Sequence, residues 1–447
     1  MPFISNTDRE RKEMLAAIGV EKFVDLLPNI PRKFLLDKEC CLEQSYSELE
    51  ITRKLAELAA KNISTSQANS FLGGGVYDHF IPAAVDHVLL KPEFHSAYTP
   101  YQAEVSQGTL QYIYEYQTMI CDLTGMEISN AGMYDGASAA AEAILMAVRK
   151  TKLFKAVIAG TIHPWYKEVI KTYTEGVGIE LVYVPAKNGL VDLTILKEKV
   201  DDNTGCVLLQ TPNFLGNIED AFAVEEITHA AKKALFVVSV DPISLAVLNA
   251  PSEYKADIVV GEGQALGNAQ NYGGPLFGFL ATNLELSRSM PGRIVGATLD
   301  ADGKRSYCLT LQAREQHIRR AKATSNICSN ESLCNLAATV YMTLMGKEGL
   351  KEVAVQSTTK AHYLAEKISA LKGFDLAFDA PFFKEFVIET PLPADEIVSQ
   401  LKANKIFPGI DLQKFGYENM LLIAVTEKKR KCDLDELVQA LQEVAHV

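Results

Sequence analysis

The pattern of hydrophobic and polar positions changes along the chain, and its first part reads as helical. Apolar residues recur at helical spacing over Thr7–Ile18 and Ser45–Asn62, with few strand signals between these segments. We therefore predict a helical N-terminal arm over residues 1–70, rather than a domain with its own hydrophobic core.

The middle of the chain, residues 71–330, carries the pattern of a sheet protein. Glycines and prolines between residues 71 and 100 indicate irregular backbone, and helical patterns follow at about Glu104–Thr124 and Ala137–Val148. Short apolar runs come next, and most of the first few are separated by helix-length segments such as Trp165–Glu175 and Glu225–Lys233. These runs are Ala156–Ala159, Ile179–Val184, Val207–Gln210, Leu235–Val240, Ile258–Val260 and Phe277–Ala281. This alternation predicts a large α/β domain with a mostly parallel sheet, whose ligands bind beyond the carboxyl ends of the strands.

The last part, residues 331–447, predicts a smaller α/β domain. Its pattern begins with a helix that ends at Met345 and a second helix over Gly349–Leu371. The remaining predicted elements are a strand at Phe386–Glu389, a helix at Ala394–Ala403, a strand at Leu421–Ala424 and a helix at Asp433–Val444. The sequence thus predicts an arm, a large domain and a small C-terminal domain.

Composition and charge narrow the classes of function. The formal net charge of −12 argues against a nucleic-acid partner, and the eight cysteines form no CxxC pair and no zinc spacing. The N-terminal segment Met1–Glu13 is polar, and the most apolar stretch, 234–250, is interrupted by Asp241 and Pro242. We expect a cytoplasmic protein with no membrane span and no metal.

One candidate anion site lies at the start of a predicted helix. Gly136, Ala137 and Ser138 place small residues at a helix N-terminus, where free backbone N–H groups attract phosphate. The alternative is that Asp135 and Ser138 only cap this helix.

Two further candidates follow predicted strands. His163 comes just after the run that ends at Ala159, where its ring can lie on a flat ligand, although a lone histidine is more often structural. Asp241 ends another run, and its carboxylate can pair with a protonated ring nitrogen or simply cap the turn before Pro242. In this order the features resemble a pyridoxal-phosphate enzyme of the aminotransferase-like fold (fold type I).

The lysine that such an enzyme needs is missing. It forms the Schiff base with the cofactor and is expected after the next strand, but no lysine occurs between Lys255 and Lys304. Gln264 lies about where the lysine is expected, counting back from Gly273, and an amide cannot form a Schiff base. We therefore expect no covalently held cofactor, and only a vestigial pocket formed by the residues Gly136, Ser138, His163 and Asp241.

Longer motifs make the resemblance specific. The sequence resembles the glycine cleavage system P-protein, a decarboxylating glycine dehydrogenase, and within that family its first half or alpha-type subunit 1. The family's second half carries the cofactor lysine and a Pro-Leu-Gly-Ser-Cys-Thr-Met-Lys segment, and neither is present here. The segments that carry the resemblance are 71–77, 98–102, 104–108, 117–119, 122–125, 291–296, 311–320 and 323–328.

This resemblance implies a shared enzyme. Pyridoxal phosphate is then held by the lysine-bearing, beta-type subunit 2, where glycine is decarboxylated. The aminomethyl group passes to the lipoyl group of the H-protein. The chain is expected to be active only with its partner. The alternatives are a non-catalytic scaffold or regulatory subunit, and a self-sufficient enzyme that uses an unconventional lysine.

One loop supplies the main candidates for residues of this chain that reach a shared active site. Tyr98, Tyr101 and Gln102 lie on a proline-containing loop, and two phenols and an amide can hydrogen-bond across an interface. The alternative is that both tyrosines only pack in that interface. Asn326, after Thr324-Ser325, is a weaker candidate.

A local basic patch offers one more possible contact. Arg314, Arg319 and Arg320 are positioned to meet a substrate carboxylate or an acidic lipoyl carrier. For at least two of them, a solvated and salt-bridged helix face is the simpler interpretation.

Overall fold

A computed structural model describes residues 5–36, 41–43, 45–325, 327 and 331–445. It divides the chain into two compact units, Met1–Ile63 and Ser64–Val447. The α-helices are α1 Asp8–Ile18, α2 Glu48–Ala59, α3 Ala83–Leu89, α4 Gln107–Thr124, α5 Gly136–Thr151, α6 Pro164–Glu175, α7 Leu193–Lys199, α8 Ala221–Ala230, α9 Gln316–Arg319, α10 Ser332–Ser369, α11 Ala394–Ala403 and α12 Lys431–Ala445. The strands are β1 Asn69–Ser70, β2 Ile128–Ser129, β3 Lys155–Ala159, β4 Glu180–Val184, β5 Ala186–Lys187, β6 Leu190–Val191, β7 Thr204–Gln210, β8 Leu235–Val240, β9 Ile258–Glu262, β10 Gly278–Thr282, β11 Ile294–Leu299, β12 Arg305–Thr310, β13 Asp375–Leu376, β14 Glu385–Glu389, β15 Ile406–Phe407, β16 Ile410–Asp411 and β17 Met420–Ala424.

The first unit consists of α1 and α2 with short 3-10 turns between them. Both helices begin with capping boxes, in which Thr7 pairs with Glu10 and Ser47 pairs with Glu50. None of the described residues of this unit is buried. Local capping rather than core packing therefore defines these helices. The predicted three-part division of the chain, with an arm to residue 70, stays a prediction.

The second unit is built on a seven-stranded sheet with the order β2-β10-β9-β8-β7-β3-β4. Strands β4, β3, β7, β8 and β9 are parallel, whereas β10 is antiparallel to β9 and β2 is antiparallel to β10. The central strands are buried, which explains their near-continuous apolar sequence. The prediction of an α/β fold with a mostly parallel sheet is confirmed.

Some predicted boundaries are wrong by a few residues. The helix expected over Glu225–Lys233 is α8, which begins at Ala221 because the Asp220 side chain accepts the N–H of Ala223 as an N-cap. The strand expected over Phe277–Ala281 is β10, which runs one residue later.

The C-terminal part forms a second, antiparallel sheet with the order β13-β14-β17-β16. Its apolar face packs on α11, α12 and the second part of α10. Helix α10 is broken at Gly346, with φ 57° and ψ −170°. This break explains why the sequence predicts two helices here. We call α10–α12 with this sheet the C-terminal module.

The β11–β12 hairpin is attached to α4 by two glutamines. The amide of Gln117 donates to the carbonyl of Val295 and accepts its N–H, both at 2.9 Å. Gln107 makes the same two hydrogen bonds with Tyr307, also at 2.9 Å. Each side-chain amide thus pairs with the backbone as a neighbouring strand does.

Among the described residues, no helix combines the length and the apolar composition needed to cross a bilayer.

Candidate functional site

The carboxyl ends of the parallel strands meet the C-terminal module at a small pocket. Asp241 follows β8, Glu262 ends β9, and Tyr166 comes from α6. Lys384 and Glu385 enter from the C-terminal module. The pocket is therefore at the edge of the sheet where the fold places ligands.

Lys384 fills the part of this pocket beside Asp241. Its Nζ lies 2.6 Å from Oδ2 of Asp241, and the two side chains are only 2% and 12% exposed. The same ammonium group donates to Nε2 of His79 at 3.0 Å and lies 3.6 Å from the centroid of the Tyr77 ring. A buried charge needs such compensation, and here a carboxylate, an imidazole and an aromatic face supply it.

His79 extends this contact to a second acid. Its Nε2 accepts from Lys384, so its proton resides on Nδ1, which donates to Glu427 at 2.6 Å. Burial, together with the adjacent ammonium group, lowers the pKa of His79. The imidazole is therefore neutral and links two oppositely charged groups.

Glu385 holds the glycine-rich segment before α3. Its carboxyl group accepts the N–H of Gly74 and the hydroxyl of Tyr77, both at 2.7 Å. Burial raises the pKa of Glu385 to about 7.

Gln264, at the position expected for the cofactor lysine, is a fully engaged structural amide. It accepts the N–H of Tyr77 at 2.9 Å and donates to the carbonyls of Tyr77 and Asn268 at 3.0 and 2.7 Å. Its residue surface is 1% exposed. This is the backbone pairing that Gln107 and Gln117 make elsewhere in the chain.

The start of α5, the candidate phosphate site, is also occupied. Asp135 accepts the N–H of Ser138 at 2.6 Å, and Glu262 accepts the N–H of Gly136 at 3.0 Å. The hydroxyl of Tyr166 is so close that any side chain at position 136 would clash with it. Burial is the main cause that raises the pKa of Glu262 to about 8. Two acidic side chains thus cap the helix end.

His163 is held by its own surroundings. Its Nδ1 accepts the N–H of Trp165 at 3.1 Å, and its Nε2 donates to the carbonyl of Gly74 at 2.8 Å. Its ring packs against Phe214 and Tyr166, with centroid distances of 4.9 and 5.2 Å. Burial lowers the pKa of His163 to about 4, so the ring is neutral.

These residues do not fit pyridoxal phosphate. No lysine stands at position 264, Lys384 already neutralises Asp241, and Glu262 takes the N–H of Gly136. A free volume of about 40 Å³ remains, room for a few water molecules, whereas small-molecule pockets span about 300–1,000 Å³.

The loop expected at a shared active site lies on the surface. Tyr98 is 81% exposed, whereas Tyr101 is 50% exposed. The hydroxyl of Tyr101 accepts a hydrogen bond from Arg293 at 2.7 Å, and Arg293 is ion-paired with Glu315 at 3.3 Å. Gln102 is exposed beside them. The loop is thus anchored by one tyrosine and presents the other.

The basic patch divides into one partly buried and two exposed arginines. Arg314, expected as a ligand contact or a solvated charge, instead donates to the carbonyls of Leu311, Met290 and Gly292, and burial lowers its pKa. Arg319 is exposed and donates to the carbonyl of Ala313 at 3.0 Å, and Arg320 is exposed as well. Asn326 lies outside the described residues.

Sequence reasoning missed Lys384 and Glu262. The signal for Lys384 is the charged pair Lys384-Glu385 inside the apolar run from Phe382 to Val387, where a charge requires a buried partner. Among the described residues, no group of three or more His, Cys, Asp or Glu side chains is arranged to hold a metal ion.

Comparison with known proteins supplies the family. The family model for the glycine cleavage system P-protein matches residues 1–441. The chain belongs to the glycine cleavage system P-protein family. It is 51% identical over 446 residues, covering 100% of both chains, to a probable glycine dehydrogenase (decarboxylating) subunit 1 of Chlorobium luteolum. It is 52% identical over 443 residues, covering 99% of both, to the protein with the same description from Carboxydothermus hydrogenoformans.

Solved structures agree with this family. A crystal structure of glycine decarboxylase (P-protein) of the glycine cleavage system, in inhibitor-bound form, matches with a TM-score of 0.92. The match has 41% identity and covers 99% of this chain and 100% of that one. A glutamate decarboxylase of Lactobacillus brevis matches with a TM-score of 0.70 at 13% identity over 93% of this chain and 96% of that one, which concerns the fold alone. The P-protein fold of this chain is thus that of fold-type I pyridoxal-phosphate enzymes.

Proposed function

We propose that this chain is subunit 1 of the decarboxylating glycine dehydrogenase of the glycine cleavage system. With a lysine-bearing subunit 2, it supports decarboxylation of glycine, and the aminomethyl group passes to the lipoyl group of the H-protein. The observation that carries this proposal is Gln264. A fully engaged amide at the position expected for the lysine supports the proposal that a partner subunit holds pyridoxal phosphate.

The contribution of this chain to the shared site is proposed to be the surface loop 98–102. Tyr98 and Gln102 are exposed, and Arg293 fixes the hydroxyl of Tyr101 at the base of the loop. Exposed aromatic side chains on an anchored loop are typical of protein interfaces. Val105, three residues after this loop and 78% exposed, adds an apolar side chain to the surface proposed to meet subunit 2.

Exchange of labelled bicarbonate into the carboxyl group of glycine tests the function. This chain alone, subunit 2 alone and their mixture are each assayed with H-protein. We expect exchange only in the mixture. Exchange by this chain alone would overturn the proposal, and full exchange by subunit 2 alone would reduce this chain to a dispensable scaffold.

The variant Tyr101→Phe tests the proposed loop. It removes only the hydroxyl, so we expect assembly with subunit 2 to persist while turnover falls by about tenfold, as for loss of one polar contact at an active site. The control is Tyr183→Phe on the edge strand β4, where the tyrosine is 40% exposed. Unchanged turnover in Tyr101→Phe assigns Tyr101 to interface packing alone.

A further inference from the structure

In the pocket at the sheet edge, the ammonium group of Lys384 is paired within this chain. The Lys384 ammonium group contacts Asp241, His79 and the face of Tyr77. An amine must be free to attack an aldehyde, whereas this nitrogen is buried and held by the carboxylate and the imidazole. Lys384 is therefore not a substitute for the missing Schiff-base lysine.

The start of α5, next to Glu262 of this pocket, is already capped by side chains of this chain. Asp135 and Glu262 take the N–H groups of Ser138 and Gly136 at the start of α5. Lys384 is the one Lys or Arg side chain among the described residues that line this pocket, and it is paired with Asp241. A phosphate group placed here would meet carboxyl groups and no free cation.

The same side chains connect separate parts of the fold. Lys384 and Glu385 belong to the C-terminal module, Asp241 ends a strand of the seven-stranded sheet, and Tyr77 and His79 lie on the segment before α3. Glu385 also holds the N–H of Gly74, and Glu427 holds the N–H of Phe80 at 2.6 Å.

We propose that this pocket is a permanent ionic latch. Lys384 neutralises Asp241 in place of a cofactor ring, so that the C-terminal module is fixed to the seven-stranded sheet without any ligand and pyridoxal phosphate is excluded from this chain. In this chain the polar residues of the pocket therefore bind one another instead of a ligand, and their contacts stabilise the packing of the C-terminal module on the sheet.

A double-mutant cycle on the full chain tests the latch. The variants are Asp241→Asn, Lys384→Met and the double substitution, and unfolding by urea is the measurement. Each single variant leaves one buried charge unpaired, so we expect its unfolding equilibrium constant to rise at least about 100-fold. The double variant removes both charges, and its effect is expected to be at least about tenfold smaller than the product of the two single effects.

The matched control cycle uses an exposed ion pair. Lys150 and Glu285 lie 2.7 Å apart, with side chains 37% and 81% exposed. Lys150→Met, Glu285→Gln and their combination are expected to change the unfolding constant by less than about fivefold, with little coupling. Coupling at Asp241–Lys384 no larger than that of this surface pair would overturn the latch.

A measurement on the unmodified chain covers the case in which the variants do not fold. The chain is incubated with pyridoxal phosphate, reduced with borohydride and mapped by mass spectrometry. We expect labelling of exposed lysines such as Lys150 and none of Lys384. Labelling of Lys384 to the same extent as Lys150, or a stoichiometric noncovalent complex with pyridoxal phosphate, would overturn the exclusion. Subunit 2 is absent from these experiments, so their failure is distinguishable from failure of the glycine exchange.

Discussion

In the pocket, Tyr77 is 8% exposed and its hydroxyl donates to Glu385 at 2.7 Å, whereas on the loop 98–102 Tyr98 is 81% exposed. In and around the pocket, the groups predicted to face a cofactor are paired with other groups of this chain: Asp241 with Lys384, Gly136 with Glu262 and His163 with Gly74. On the loop, one tyrosine is anchored by Arg293 and the other faces solvent. A polar residue at the sheet edge where this fold usually binds ligands is therefore not functional by position alone. When it is buried and paired within the chain, it stabilises the structure instead.

The largest effect is expected from removing the amide of Gln264, which tests whether the polar groups around the pocket are structural. Gln264→Leu leaves the backbone N–H of Tyr77 and the carbonyls of Tyr77 and Asn268 buried without these partners. We expect a loss of about 2–4 kcal/mol in the free energy of unfolding, measured with urea. Gln117→Leu, which removes a similar pair from Val295, is the matched variant and is expected to cost a similar amount. A loss below about 1 kcal/mol would show that Gln264 is not a structural amide.

The variant Glu262→Gln tests the raised pKa of the carboxyl group that caps the start of α5. Because the pKa of Glu262 is raised to about 8, the folded state keeps its proton where the unfolded state has lost it. This carboxyl group thus lowers the stability of the wild type progressively as pH rises from its ordinary pKa toward 8. Relative to wild type, the glutamine variant is expected to gain roughly 1–3 kcal/mol between pH 5 and pH 8. Parallel stability curves over this interval would contradict the raised pKa.

The variant Tyr98→Ala tests the other side of the comparison. Since Tyr98 is 81% exposed, its loss is expected to leave the stability of the isolated chain unchanged. Its affinity for subunit 2 is expected to fall by about 1–2 kcal/mol, measured by calorimetry. The control is Tyr183→Ala on β4. An equal loss of affinity in both variants would mean that the loop is not a specific contact.

The smallest effect is expected from restoring the missing residue. Gln264→Lys alone should not create a pyridoxal-phosphate enzyme, because Lys384 still neutralises Asp241 and Glu262 still caps Gly136. The expected absorbance spectrum with added pyridoxal phosphate is that of the free cofactor plus surface adducts. A borohydride-stable adduct mapped to position 264 would show that the latch opens.

The fold class and the missing lysine follow from the sequence alone. Buried parallel strands require near-continuous apolar runs. Such runs, alternating at first with helix-length segments, predicted the central sheet. The absence of lysine between Lys255 and Lys304 is independent of any structure, and it excludes a Schiff base after β9. The proposed roles of Tyr98, Tyr101 and Gln102 stay predictions.

Only the tertiary structure decided how the pocket is filled. Lys384 and Asp241 are 143 positions apart in the sequence, and no local motif around either residue predicts that the two will pair. Local patterns encode periodicity, capping and turn chemistry, but a buried ion pair depends on which chain segments the fold brings together. The sequence therefore determined that this chain lacks its cofactor lysine, and the packing of the C-terminal module decided that a lysine from elsewhere neutralises Asp241.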